Sequence, residues 1–123
     1  MTRDEFRTRT FQFGVRCIRL AESLPKSMTA QVVAKQLIRA ATSVGANYRA
    51  AARAKSRADF IAKMGIVEEE CDEAHYWIEM LIELSLVASA RTAELQREAG
   101  ELLAVTVSSI KTARAKTRSL SPK

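Results

Sequence analysis

From Phe60 onward the chain sets Phe60, Met64, Val67, Cys71, Ala74, Ile78, Leu81 and Ser85 at alternating steps of four and three. That alternation keeps every one of these positions on a single face of an α-helix, whereas a strand would scatter them to both faces of a sheet. Ser56-Arg57-Ala58-Asp59 stands just before it, a serine cap with an acid three residues on. The pattern predicts a helix from Arg57 to Val87, roughly 45 Å long at 1.5 Å per residue. Such a length suits an elongated helical bundle better than a compact orthogonal one.

The same periodicity recurs elsewhere. Phe6, Thr10, Phe13, Cys17, Leu20 and Leu24 form one inner row, which Pro25 ends by disfavouring helical geometry at Leu24. Ser27 or Thr29 can cap a second helix, expected from Thr29 to Ala54, with Val33, Leu37, Ala40, Val44 and Tyr48 as its inner row. Small residues at Ala40, Ala41, Ser43, Gly45 and Ala46 let a neighbouring helix come close. A weak break at 88–91 leads to Thr92 as an expected N-cap and to a fourth helix marked by Leu95, Leu102, Leu103, Val107 and Ile110. Four long helices on short connections predict an all-α, antiparallel up-down-up-down four-helix bundle occupying residues 1–115. Residues 116–123 are expected to form a basic, flexible tail.

Hydrophobic residues make up 47% of the chain and charged residues 28%, the balance of a folded domain. Four glycines and two prolines are too few for a turn-rich β fold. Cys17 and Cys71 fall at apolar helical positions and read as reduced core thiols. The charged start, MTRDEFRTRTF, does not resemble a signal peptide, and no apolar run reaches the roughly 20 residues of a membrane span. These features predict a cytoplasmic protein with no membrane contact.

The net charge of +6 is unevenly spread. Residues 1–63 carry 13 Lys/Arg against four acids, and residues 64–123 carry seven against ten. Arg39, Arg49, Arg53, Lys55, Arg57 and Lys63 form the strongest candidate set for contact with a nucleic-acid backbone. Arg49 and Arg53 share a helix face, and Lys55 and Arg57 lie at the turn that follows. Arg39 and Lys63 are secondary, and Arg114, Lys116 and Arg118 can assist. With Tyr48 the only aromatic near the set, any binding should read charge and shape rather than base sequence. The alternative is a solvated or intersubunit face that pairs with Glu68, Glu69, Glu70, Asp72 and Glu73 of a neighbouring copy. Arg39 can also find glutamates on the third helix of its own chain.

Other candidate chemistry is thin. Glu68, Asp72, His75 and Glu79 lie at steps of four, three and four, but with one histidine on a single helix the polar-stripe reading outweighs a metal site. Gln36, Arg39, Ser43 and Asn47 read as a hydrogen-bonded seam, and Tyr76 and Trp77 cannot both face one core. No phosphate loop, nucleophile elbow or zinc spacing is present, so neither an enzyme nor a cofactor is expected.

The runs QLIRAATSVGANYRAA and KSRADFIAKMGIVEEECDEAHYWIEMLIE closely resemble the four-helix-bundle family found in open reading frames of ribosomal-RNA intervening sequences. That family is distantly similar to the accessory variability proteins of diversity-generating retroelements. The resemblance extends from about Phe11 to Ile110. It is carried by the run from Gln36 to Asn47 and by the Ser56–Phe60, Glu69–Glu73 and Tyr76-Trp77 elements. It implies a left-handed bundle assembled into a homopentameric ring, without known catalytic activity. The retroelement relatives use a basic surface to engage nucleic acid and a reverse transcriptase. Many members carry Glu shortly after the Asn-aromatic pair, whereas Arg49-Ala50 follows Asn47-Tyr48 here, making this stretch more basic. The expected function is a noncatalytic accessory protein that binds RNA or DNA backbone. The alternative is a structural ring that binds a protein partner and no nucleic acid.

Overall fold

Four helices account for nearly the whole chain in the computed structural model, which describes residues 1–120, with 119 and 120 described by backbone alone. They are α1 (Arg3–Glu22), α2 (Met28–Ala52), α3 (Arg57–Glu83) and α4 (Ser89–Leu120), and there is no strand among the described residues. Each of the first three starts on a hydroxyl cap. Thr2 accepts from the Glu5 N–H at 3.1 Å, Ser27 from Ala30 at 3.2 Å and Ser56 from Asp59 at 3.0 Å, satisfying amide donors that a helix start would otherwise leave unpaired.

The inner rows of α1 and α2 are buried as the spacing predicts, from Phe6 to Leu24 and from Val33 to Tyr48. On α3 the row is buried from Met64 to Leu81, while Phe60 is only partly buried. Ser85 leaves the pattern. It has φ 54° and stands exposed beyond the helix. Its N–H bonds Ile82 O at 3.0 Å and that of Leu86 bonds Leu81 O at 3.1 Å. This is a Schellman termination, in which a left-handed residue turns the chain and satisfies the last carbonyls. The helix therefore stops at Glu83 instead of Val87.

Helix α4 departs furthest from expectation. It starts at Ser89, so Thr92 is not its cap. Thr92 is fully buried, and its hydroxyl donates to Ala88 O at 3.2 Å and Ser89 O at 3.1 Å. Leu95, Ala99, Leu102, Thr106, Ile110 and Ala113 are the buried positions that follow, whereas Leu103 and Val107 flank the core half-buried. Thr10 and Thr106 are satisfied in the same way as Thr92, by hydroxyls donating to Arg7 O at 3.0 Å and Leu102 O at 2.8 Å. A threonine whose hydroxyl turns back on its own helix presents its methyl group to the core. The backbone stays helical through Leu120, past the expected end near Ala115. Helix-favouring Ala, Arg and Lys fill 113–116, and after Pro25 no proline occurs until Pro122. Residues 121–123, the rest of the expected tail, lie outside the described residues.

Sequence neighbours are the main packing partners, and α1 and α4 meet more loosely. Helices α1 and α2 approach closely at two glycines. A Cβ built on Gly45 would lie 3.3 Å from the carbonyl carbon and oxygen of Thr10, and one on Gly14 would lie 3.5 Å from Ala41 O. Phe6 meets Tyr48 edge-on with ring centroids 4.7 Å apart. No helix among the described residues is long and apolar enough to cross a membrane.

Candidate nucleic-acid interface

The six cations singled out by sequence divide into two groups. Arg39 lies across the α2–α3 seam, its Nη1 donating to Glu70 Oε2 at 2.9 Å and its Nη2 to Glu73 Oε1. The Arg39 hydrogen bond holds the Glu73 carboxyl below the usual carboxylate range, with burial opposing and the Trp77 indole assisting. The same contact with Glu73 raises the Arg39 guanidinium. Gln36 Oε1 accepts from Arg39 Nε at 3.4 Å, and Asn47 Nδ2 donates to Ser43 O at 2.9 Å, so the polar edge of α2 is internally bonded. Lys63 is likewise committed: its Nζ is 2.6 Å from Asp59 Oδ1, one turn earlier on α3. That contact, with the Lys55 backbone N–H on the other carboxylate oxygen at 3.1 Å, lowers the Asp59 carboxyl.

Arg49, Arg53, Lys55 and Arg57 differ. All four are exposed, and among the described residues no carboxylate lies within 4.0 Å of their charged nitrogens. They follow one another from the last turn of α2 through its terminal Arg53 to the first residue of α3. Arg49 lies over the Phe11 ring, 5.4 Å from its centroid, a contact that orients the guanidinium without neutralising it. A small surface pocket beside it also holds Arg7 and Asp4.

Two arginines of α1 are engaged with α4 instead. Arg9 Nε donates to Glu98 Oε2 at 3.0 Å, with Glu101 at 3.3 Å, and Arg16 reaches Glu94 at 3.5 Å. Arg91 of α4 meets the Ser23 hydroxyl at 3.5 Å. Glu70 and Glu73, expected as possible partners for cations of another copy, are thus held by Arg39 within the chain.

Linear spacing missed one feature. An open cavity of about 790 Å³ lies where the start of α1 and the final turns of α4 border the α2–α3 turn. Arg3, Arg57 and Lys116 line it, together with hydroxyl-bearing residues of α4, and among the described residues no acid does. Its walls are drawn from positions over 100 residues apart, so only the packing of the helices reveals it. The Glu68, Asp72, His75 and Glu79 stripe remains a row on α3, and among the described residues no three His, Cys, Asp or Glu are arranged to hold a metal ion. Tyr76 is half exposed and packs edge-on against the half-buried Trp77, ring centroids 5.0 Å apart.

These features define an all-α protein of four helices with unpaired cations gathered at one interhelical turn. The chain belongs to the 23S rRNA-intervening sequence protein family, whose model matches residues 4–108. It is also similar to a Bacteroides thetaiotaomicron VPI-5482 crystal structure, described as a protein with unknown function from the S23 ribosomal protein family. The two share 33% sequence identity with a TM-score of 0.83, covering 90% of this chain and 99% of that one. No significant match is found among curated proteins.

Proposed function

We propose that this protein is a noncatalytic, nucleic-acid-associated accessory protein of the cytoplasm. It binds RNA or DNA backbone through a basic surface centred on Arg49, Arg53, Lys55 and Arg57. One observation carries the reading: these four cations are exposed and, among the described residues, have no carboxylate within 4.0 Å of their charged nitrogens, while Arg39 and Lys63 already have theirs. Unpaired surface cations can release counterions from a phosphate backbone at little cost, whereas paired ones must first give up a carboxylate. Arg39 and Lys63 are therefore secondary contacts. The family's name, which refers to 23S rRNA, agrees with this reading.

The bundle we infer is antiparallel and up-down-up-down. Residues 9 and 16 of α1 and Ser23, which caps it, meet 98, 94 and 91 of α4 in turn, and 10 and 14 lie beside 45 and 41 of α2. Self-association, pentameric as the family resemblance implies, is supported by apolar side chains left on the outer faces of α2 and α3: Met28 is 82% exposed, Val32 54%, Ile66 44% and Tyr76 50%. A ring multiplies a modest patch into an avid one.

The test is binding to structured RNA and to double-stranded DNA across a salt series. The wild type is compared with a variant carrying Arg49, Arg53, Lys55 and Arg57 all as Gln, at unchanged oligomer mass. Wild-type affinity should fall steeply with salt, and the variant should lose about one unit of log–log slope for each phosphate contact removed. Absence of binding at low salt by the assembled protein overturns the proposal and leaves a scaffold for a protein partner as the reading to pursue.

A further inference from the structure

The cavity between the start of α1 and the last turns of α4 combines three kinds of surface that rarely meet by chance. Arg3 from α1, Arg57 from α3 and Lys116 from α4 bring positive charge to it from three separate helices. Ser108, Ser109 and Thr112 add hydroxyl groups from a single stretch of α4. Phe6, Tyr48 and Phe60 supply an aromatic base, with Ala51 and Ala113 between. Burial raises the Tyr48 phenol, with Arg3 acting to lower it and Asp4 to raise it, so a cation and a carboxylate both lie near this base. Among the described residues no acid lines the cavity. At about 790 Å³ it falls within the size range of small-ligand sites, and an apolar base with a few convergent polar groups is their usual make-up.

We propose that this cavity binds a phosphate monoester carried on a planar or apolar body. The phosphate sits among Arg3, Arg57 and Lys116, and the body lies over Phe60 and the edge of the Phe6–Tyr48 pair. The argument for phosphate is charge and geometry together. Cations drawn from three helices to one cavity lining suit a compact dianion better than a singly charged carboxylate, and guanidinium groups bind phosphate oxygens in pairs. The hydroxyls of Ser108, Ser109 and Thr112 in the same lining can donate to the remaining oxygens or to a sugar. A nucleoside 5′-phosphate has this chemistry, whether free or at the end of a strand. The proposal goes beyond the backbone surface described above: it shares only Arg57 with it, and holds whether or not duplex is bound.

Isothermal titration calorimetry with adenosine 5′-monophosphate, adenosine and inorganic phosphate tests it on the intact protein. A fluorescence competition between a 5′-phosphorylated oligoribonucleotide and its 5′-hydroxyl counterpart separates the two sources. Ser108→Trp plugs the cavity from an exposed helical position, and Arg3→Gln with Lys116→Gln removes charge without touching Arg49, Arg53, Lys55 or Arg57. Thermal melts and oligomer mass establish that each variant is folded. The monophosphate should bind at least tenfold more tightly than adenosine, and both variants should weaken it by roughly tenfold or more. A preference for the 5′-phosphorylated strand, abolished by Ser108→Trp but with no binding of the free nucleotide, assigns the ligand to strand ends and also supports the site. Equal binding with and without the phosphate, or a phosphate preference that both folded variants retain, overturns it. This outcome is independent of the duplex salt series, since the Ser108→Trp protein keeps every cation of that surface.

Discussion

Gly45, Gly65 and Gly100 are all helical, yet only one has a neighbour where its side chain would be. Nothing lies within 4 Å of a Cβ placed on Gly65 or Gly100, so Ala at either should stabilise the fold by about 1 kcal/mol through helix propensity alone. At Gly45 the new methyl meets the Thr10 backbone at 3.3 Å, and α1 must shift to admit it. Gly45→Ala should therefore cost about 1 kcal/mol net; chemical denaturation of the three variants measures the contrast. The spacing of small residues on α2 announced a close approach, but which helix came close could not be read from α2 alone. Ser85 gives a second test. Its left-handed conformation is strained for any residue with a side chain, and Ser85→Gly should gain about 1 kcal/mol. Cys17 and Cys71 give a third. Burial pushes both thiols up to about 12, so at pH 8 neither should react with an alkylating reagent until the protein unfolds. Labelling counted by mass spectrometry, with and without denaturant, checks this.

Among the elements, α1, α2 and α3 were legible because large apolar residues mark their inner rows. Helix α4 was legible as an element but not in its start or its full inner row, because that row passes through Thr92, Ala99 and Thr106. Two of these are polar as letters in a sequence and become apolar surfaces only once their hydroxyls bond back to the helix. The candidate site was half legible. Clustering of Arg49, Arg53, Lys55 and Arg57 was visible in the chain, but the cavity joining Arg57 to Arg3 and Lys116 depends on how α4 lies against α1. The α2–α3 seam has its own pH signature. Glu73 is held by Arg39 below its ordinary value of 4.5, so this pair stabilises the fold above that value, and the contribution is lost as pH falls through the lowered one. Arg39→Gln should lower the melting temperature at pH 7 and narrow the gap to wild type on acidification. Because Arg39 is exposed, high salt should narrow it too.

For the whole molecule, packing between sequence neighbours sets how the chain reaches its fold. Contacts formed mostly between adjacent helices demand little loop closure, and chains of that kind fold quickly. The loosely packed α1–α4 pair should then open ahead of the other seams. Native-state hydrogen exchange should show amides at the start of α1 and in the last turns of α4 exchanging ahead of those in α2 and α3. A solute held in the cavity between those ends would slow that exchange, so the least cooperative seam of the molecule would also report whether the cavity is filled.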